Sequence, residues 1–199
     1  MKNIIFDLDG TLFNTFYLHT SCLKEVYMQI YNTDITDLKI LKNNKSTIWL
    51  QIQSIFGKET KMAMNLYILK FCNKVQNGEL HDFINVSYYL NKLITEHKVN
   101  LHLFTGRDTI TTSSILNYFH IQSLFNTIFC CDEEKLCSKN ISNIFNNMEQ
   151  IIYITDSIKE IQELEAYNIQ TFLAKWFLHY SVNYNNSISN IENFLEVIE

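Results

Sequence analysis

Two aspartates separated by one residue, Asp7 and Asp9, are the first residues whose types and spacing could do chemistry. They follow a short apolar run at residues 4–6 and precede Gly10 and Thr11. An apolar run that ends in Asp and Gly is typical of a buried strand of a parallel sheet that leads into a loop. Two carboxylates at such a strand end concentrate negative charge, which predicts a bound cation there.

The ligand types favour a hard cation. No His or Cys accompanies these carboxylates, and oxygen ligands suit Mg²⁺, which binds few carboxylates, retains water and coordinates substrate phosphate. Asp156 follows another apolar run, at 151–155, and could supply a third carboxylate. Thr105, Gly106 and Arg107 follow a further run, at 99–104. Because ligands of open α/β sheets bind outside the carboxyl ends of the strands, we expect these segments to form one site.

The elements that must position these residues alternate along the chain. The patterns predict strands at 4–6, 99–104, 127–131, 151–155 and 171–174, and helices at 86–96, 109–119, 141–147, 158–167 and 188–198. Strands that alternate with helices indicate an α/β fold with a doubly wound parallel sheet.

Residues 16–76 depart from this alternation and are predicted to form a helical insertion. Helical spacing places apolar residues on two stripes, Leu18, Cys22, Val26 and Ile30 on one and Leu66, Leu69, Cys72 and Val75 on the other. Aromatic residues of this segment could line a pocket, but their helical spacing favours core positions: Phe16, Tyr17, Tyr27, Tyr31 and Trp49. A polar break at 43–47 is the predicted specificity loop.

Three segments together resemble the signature motifs of the haloacid dehalogenase-like hydrolase superfamily. Residues 7–12 (DLDGTL) resemble its first motif, 104–107 (FTGR) its second and 156–161 (DSIKEI) its fourth. Three motifs in the family order, each after a predicted strand, make a specific combination. The resemblance implies a Rossmann-like catalytic core at 1–15 and 79–199 and a small helical cap domain at 16–78 that closes over the site and excludes water.

The resemblance also implies a mechanism and a set of site residues. Asp7 would attack phosphorus to form an aspartyl phosphate, while Asp9 would protonate the leaving oxygen and later activate water. Asp7 and Asp156 would bind Mg²⁺ by their side chains and Asp9 by its main-chain carbonyl. Thr105 and the Gly106 amide would hold the transferring phosphoryl group.

The third motif of the superfamily is a lysine that pairs with the phosphate, and two residues compete for it. Lys139 is preferred over Lys135 because it lies nearer the expected distance after the strand that precedes it. The chain departs from the common pattern at three other positions: Asn140 replaces a proline, Thr155 a glycine and Glu160 an aspartate. Glu160 could reach the ion or a bound water, or be a surface charge.

Simpler roles exist for several of these residues. Thr105 and Asp156 could cap the helices that follow them. Arg107 could contact substrate phosphate, but a surface pair with an acidic neighbour is the preferred interpretation. The six histidines are scattered, and none is assigned a catalytic role.

Composition excludes several classes of partner. A net charge of −5 gives no general attraction to nucleic acid. No run approaches the roughly 20 apolar residues of a bilayer span, and the five cysteines include no C-x-x-C pair. We therefore expect a cytoplasmic protein with free thiols that interacts with neither nucleic acid nor membrane.

The leading prediction is a Mg²⁺-dependent phosphatase that acts on a small phosphorylated metabolite such as a sugar phosphate, phosphoglycolate or a nucleotide monophosphate. A phosphomutase would use the same two aspartates, and a catalytically silent binding module would keep the fold alone. Dehalogenation is disfavoured, because superfamily members with that activity lack the second aspartate of the first motif and the metal.

Overall fold

A six-stranded parallel sheet forms the centre of the molecule. The computed structural model describes residues 2–132, 151–178 and 184–197. The strands are β1 (Asn3–Phe6), β2 (Asn100–Phe104), β3 (Thr127–Phe129), β4 (Ile151–Thr155), β5 (Gln170–Ala174) and β6 (Ser187–Ile188). Their order is β3-β2-β1-β4-β5-β6, and every neighbouring pair is parallel. The predicted α/β fold with a doubly wound parallel sheet is confirmed.

Strand β1 lies in the middle of the sheet, which explains its unbroken apolar sequence. Ile4 is in register with Leu101 on one side and with Ile152 on the other. Ile4, Ile5 and Phe6 have no exposed surface. Because helices cover both faces of a parallel sheet, its central strands carry apolar residues at every position.

Eight helices are described, and the first five lie between β1 and β2; the first four of these fall within residues 16–76, where the sequence predicted a helical insertion. They are α1 (Phe16–Tyr31), α2 (Asp37–Lys42), α3 (Ile48–Phe56), α4 (Thr60–Gln76), α5 (Val86–His97), α6 (Thr109–Tyr118), α7 (Ile158–Glu165) and α8 (Ile191–Val197). Single 3₁₀ turns occupy Gly57–Glu59 and Gln122–Leu124. Residues 16–78 are called the helical insert below.

The predicted elements match these bounds closely, with a few exceptions. Strand β3 ends at Phe129 rather than at residue 131, and α8 begins at Ile191 rather than at residue 188. Strand β6 was not predicted, because two residues are too few to show a period. The helix predicted at 141–147 lies outside the described residues.

The buried face of α4 differs from the predicted stripe. Leu69 is 58% exposed, and the fully or largely buried apolar residues of α4 are Ala63, Met64, Tyr67, Phe71 and Val75. Helix α4 packs against both α1 and α6, and the spacing of four residues from 63 to 75 places one continuous row between them. In the predicted stripe of α4, Leu69 was therefore wrong, Leu66 and Cys72 are partly buried, and Val75 is buried as predicted. In the predicted stripe of α1, Leu18, Cys22 and Val26 are buried as predicted and Ile30 is partly buried.

Three of the five aromatic residues predicted for the core are exposed instead. Phe16, Tyr17 and Tyr31 have 44%, 69% and 40% of their surface exposed. They lie off the buried face of α1, and Tyr31 stacks on Phe56 at the surface of the insert. Tyr27 and Trp49 are partly buried against the core.

The described residues contain no helix that is both long enough and apolar enough to cross a membrane.

Candidate active site

The loop after β1 is folded tightly on itself, and this fixes the position of Asp7. The Asp7 amide donates to the carbonyl of Ile154 in β4, at 2.9 Å. The amides of Leu12 and Phe13 both donate to the carbonyl of Leu8, at 3.0 Å. Asp7 is therefore held at the carboxyl end of β1 by the neighbouring strand, and the chain turns immediately beyond it.

Gly10 allows the loop after β4 to approach the loop after β1. Its φ of +75° is left-handed, and a Cβ atom there would lie 2.2 Å from Oδ2 of Asp156. The Asp156 amide donates to Oγ1 of Thr11 at 3.0 Å, and Nε1 of Trp176 donates to the Thr11 carbonyl at 2.7 Å. The Asp156 carboxylate therefore packs directly on the residue that follows Asp9.

The loop after β2 meets the helical insert. The Thr105 amide donates to the carbonyl of Phe129 at 3.0 Å, and Oγ1 of Thr105 accepts from the Arg107 amide at 3.2 Å. A Cβ atom on Gly106 would lie 2.1 Å from the backbone oxygen of Ser46, and the Ile48 amide donates to the Gly106 carbonyl at 3.0 Å. The insert and the sheet are thus in backbone contact at this loop.

These loops and the insert enclose a cavity of about 560 Å³. Its core side includes Asp7, Asp9, Gly106, Asp156 and Glu160, and its insert side includes Phe16, His19, Asn44, Lys45, Thr47 and Gln51. Four predicted site residues, Asp7, Asp9, Gly106 and Asp156, therefore line one cavity. Thr105 is buried beside it and does not line it, while Lys135 and Lys139 lie outside the described residues.

The carboxylates after β1 and β4 are buried together. Burial, followed by the charges of Glu160, Asp156 and Asp9, raises the pKa of Asp7 well above its usual value. Burial and the charge of Glu160 raise the pKa of Asp156 to about 7. Burial also raises the pKa of Glu160, whose Oε2 accepts from Oγ1 of Thr155 at 2.9 Å. The carboxylates are therefore in mutual repulsion, which a bound cation would relieve.

Asp9 has a different environment, because Arg107 and Thr15 hold its carboxylate. Nε of Arg107 lies 3.1 Å from Oδ2 of Asp9, and NH2 lies 2.7 Å from Oδ1. The Thr15 hydroxyl also donates to Oδ1. Burial acts to raise the pKa of Asp9, but the charge of Arg107 and these hydrogen bonds outweigh it and hold that pKa below its usual value.

The preferred interpretation of Arg107 as a surface residue was wrong. It pairs with an acidic neighbour, but only 1% of its side chain is exposed and the neighbour is Asp9. A sequence signal was available, since Arg107 is the only arginine among 16 basic residues. A planar fork that binds a carboxylate through two nitrogens is a geometry that lysine cannot supply.

A buried polar network continues from Arg107 into the insert. NH1 of Arg107 donates to the Tyr67 hydroxyl at 3.1 Å, and that hydroxyl lies 2.8 Å from Nδ1 of His19. Nε2 of His19 lies 2.9 Å from Oε1 of Gln51. Burial, with the charge of Arg107, lowers the pKa of His19 to about 4, so the ring is neutral near pH 7. Sequence reasoning missed two residues of this site. Thr15 comes just before the predicted helical pattern, and His19 lies within it.

The capping interpretations of Thr105 and Asp156 do not hold. Helix α6 is capped by Asp108, whose side chain accepts from the Thr111 amide at 2.9 Å. Helix α7 is capped by Ser157, whose Oγ accepts from the Glu160 amide at 3.3 Å. Thr105 and Asp156 are therefore left without the local role that would have explained them.

The donor set suits a hard divalent cation that keeps part of its hydration. Among the described residues, no three His, Cys, Asp or Glu side chains are grouped closely enough to hold an ion by themselves. Asp7 and Asp156 bring only two carboxylates to the cavity from the loops after β1 and β4, which leaves other coordination positions for a carbonyl, water or phosphate. That sparse oxygen set fits Mg²⁺ better than an ion that needs a full protein cage.

Comparison with protein families gives one match that spans most of the chain. A family model described as haloacid dehalogenase-like hydrolase matches residues 4–174. The match begins in β1, includes the whole helical insert and ends with β5. No curated protein matches the sequence.

Several solved structures share the fold at low sequence identity. A predicted phosphoglycolate phosphatase from Haemophilus somnus is 17% identical, with a TM-score of 0.81, over 100% of this chain and 98% of that one. CbbY from Rhodobacter sphaeroides, in complex with phosphate, is 13% identical, with a TM-score of 0.79, over 96% and 95%. A putative phosphoglycolate phosphatase from Lactobacillus plantarum is 16% identical, with a TM-score of 0.75, over 98% of each chain.

Proposed function

Since the chain belongs to the haloacid dehalogenase-like hydrolase family, we propose that it is a phosphatase that hydrolyses small phosphate monoesters through Asp7. The observation that carries the proposal is the cavity in which Asp7, Asp9 and Asp156 meet at the carboxyl ends of β1 and β4. Such a strand edge is where open α/β sheets bind their ligands. The similar folds described as phosphoglycolate phosphatases support the same reaction class.

Two displacement steps account for the roles of the aspartates. In the first, an Asp7 carboxylate oxygen forms a bond to phosphorus, the ester P–O bond breaks, and Asp9 gives a proton to the leaving oxygen. In the second, water attacks phosphorus, its proton goes to Asp9, and the Asp7–phosphorus bond breaks. The products are an alcohol and inorganic phosphate, and both carboxyl groups are restored. Arg107 favours the ionised form of Asp9, which is the form that acts as the base in the second step. The protonated form, which acts as the acid in the first step, is therefore the minor form in the free site.

Asp7, Asp156 and the Asp9 carbonyl would hold Mg²⁺, which when bound supplies positive charge against the phosphoryl oxygens. The Gly106 amide would bind the transferring group, and Thr105, which is buried beside the cavity and does not line it, would support the loop that holds this amide. Lys139 would complete the phosphate site. Asp7 and Asp156, whose pKa values are raised in the free site, would both be ionised beside a cation.

The helical insert would act as the cap that selects the substrate. Its segment 43–47 contributes Asn44, Lys45 and Ser46 to the cavity, opposite the aspartates. A polar loop with one lysine suits a small hydrophilic metabolite that carries a second anionic or hydroxyl group. We place the protein in the cytosol.

The test is hydrolysis of para-nitrophenyl phosphate, with and without Mg²⁺, by the native chain and two variants. Asp7→Asn is expected to lower kcat by at least about 1,000-fold, because it removes the nucleophile. Asp37→Asn, a matched change at an exposed position of α2, is expected to retain activity. Turnover that is independent of Mg²⁺, or that survives Asp7→Asn in full, would contradict the proposal.

A further inference from the structure

Arg107 is buried more completely than an ionised side chain can be without compensation. Only 1% of it is exposed, and a buried guanidinium is stable only when paired and hydrogen-bonded. Two of its nitrogens bond to Asp9, and the third, NH1, donates to the Tyr67 hydroxyl at 3.1 Å and to Oγ1 of Thr111 at 3.4 Å. The Phe71 ring centroid lies 4.1 Å from its Cζ atom. The guanidinium is thus fixed in its plane and across its face.

The contacts that Arg107 and Thr15 make to Asp9 are unequal at its two oxygens. Oδ1 accepts from Nε at 3.2 Å, from NH2 at 2.7 Å and from the Thr15 hydroxyl. Within the described part of the chain, Oδ2 accepts only from Nε, at 3.1 Å. A carboxylate has about four acceptor positions in all, so the lone pairs of Oδ1 are saturated and Oδ2 retains one. Oδ2 is therefore the oxygen that can exchange a proton with the leaving group or with water.

The residues that fix Arg107 belong to helix α4 of the insert. Tyr67 and Phe71 are one helical turn apart on its buried face. Arginine can only donate, so the Tyr67 oxygen accepts from NH1 and its own hydrogen is free for Nδ1 of His19. Nε2 of His19 then donates to Oε1 of Gln51, because Nε2 of Gln51 points to the carbonyl of Ile40. Each donor in this series has one acceptor, which requires a neutral His19.

We infer that Arg107 is a positioning residue: docking of helix α4 orients its guanidinium, and the guanidinium in turn selects the oxygen of Asp9 that transfers protons. The inference rests on the proposed function, since it assumes that Asp9 is the acid and base. It assigns to the insert a task beyond covering the cavity. Asp9 can transfer protons efficiently only while Tyr67 and Phe71 of α4 remain in contact with Arg107.

The experiment compares two substrates in Arg107→Lys, with Asp9→Asn as the reference. Para-nitrophenolate leaves readily without a proton, whereas the alkoxide of phosphoglycolate needs one. Arg107→Lys keeps the charge but cannot form the fork. We expect kcat for phosphoglycolate to fall by about 100-fold, the scale of general acid catalysis, with KM changed by less than about threefold. With para-nitrophenyl phosphate we expect a burst of one p-nitrophenolate per enzyme followed by slow turnover, because the base for the second step is misplaced.

Tyr67→Phe tests the link to α4 with little risk to folding, since it removes one hydroxyl and keeps the ring. It is expected to give the same substrate asymmetry at about tenfold smaller amplitude. Equal losses on both substrates without a burst, or a rise in KM alone, would show that Arg107 acts on folding or on substrate binding. If Tyr67→Phe has the same kinetics as the native chain, the inference that helix α4 orients Arg107 would be wrong. Failure of the proposed function is distinct, since the native chain would then turn over neither substrate.

Discussion

At the scale of single residues, Asp156 shows how the proposed catalytic site can lower the stability of the fold that contains it. Its carboxylate is packed on Gly10 and repelled by Glu160 and Asp9. An acid whose pKa is higher in the folded state than in the unfolded state loses stability as pH rises from the unfolded value through the folded one. For Asp156 that window runs from its usual value of 3.8 to about 7.

Asp156→Asn is therefore expected to stabilise the metal-free protein at pH 8 by on the order of 1–3 kcal/mol. Mg²⁺ should raise Tm of the native chain, because it binds only the folded state, and should have little effect on the variant. Thermal melts in a chelating buffer and in Mg²⁺ measure both effects, with Asp34→Asn, at an exposed loop position, as the neutral reference. A metal-free variant less stable than the native chain would refute the account of mutual repulsion.

Residue spacing predicted which aspartates meet but not how Asp9 is held. Asp7, Asp9 and Asp156 follow strands, and the parallel sheet brings strand ends to one edge, so their meeting follows from the local pattern. The partner of Asp9 depends on where an arginine 98 residues away points after the insert has packed. The sequence shows that this residue is the only arginine, which indicates a special role. Its burial, however, is decided only when the insert packs on the sheet.

At the scale of elements, the contact between the insert and the loop after β2 depends on Gly106. The residue is not among those with positive φ, so alanine fits its backbone. A Cβ atom would nonetheless lie 2.1 Å from the backbone oxygen of Ser46, which cannot rotate away as a side chain would. The insert must retreat from the sheet to accept it.

Gly106→Ala is expected to lower kcat/KM by at least about tenfold, the cost of misplacing a substrate-covering element. Its Tm should fall as well, because the clash with a backbone atom can be relieved only by moving the insert away from the sheet. Gly57→Ala is the matched control: φ is +55° and no atom lies within 4 Å, so it should lower Tm through backbone strain and leave kcat/KM unchanged. Full activity in Gly106→Ala would mean that the insert can close without this contact.

The buried face of α4 was predicted wrongly because, like the contact at Gly106, it depends on how the elements pack together. Its leucines suggested a stripe through Leu66 and Leu69, and periodicity alone could not reject it. Helix α4 packs against α1 and α6 and also contacts Arg107. Tyr67 and Phe71 lie on the face that makes these contacts, while Leu69 is exposed. The existence and bounds of helices follow from local pattern, but the face that a helix buries is decided by its partners.

At the scale of the whole molecule, His19 makes the free energy of unfolding depend on pH, because the hydrogen bonds between the insert and Arg107 require a neutral His19 ring. Its pKa is about 4 in the folded protein and 6.5 as the usual value. Between these values the unfolded chain binds the extra proton, so stability falls as pH decreases from 6.5 to 4. Asp156 acts in the opposite direction over the same range, and the native chain alone would show only their sum.

The measurement is therefore a difference between two curves. Urea unfolding of the native chain and of His19→Gln, from pH 7 to pH 4, should show a steeper loss in the native chain, by up to about 1.4 kcal/mol per pH unit. His81→Gln, at an exposed position, should follow the native curve. Parallel curves for the native chain and His19→Gln would mean that the ring is protonated without disturbing the fold.

The hydrogen bond from Trp176 to Thr11 has a spectroscopic consequence. The chain has two tryptophans, and Trp49 lies in the insert while the Trp176 indole donates to the carbonyl of the loop that carries Asp7 and Asp9. Indole emission responds to the polarity around its N–H group, so in Trp49→Phe the remaining signal reports on that loop alone. The protein thus carries its own fluorophore on the loop that contains Asp7 and Asp9, and we expect that ligand binding near this loop can be followed by stopped-flow fluorescence without any added label.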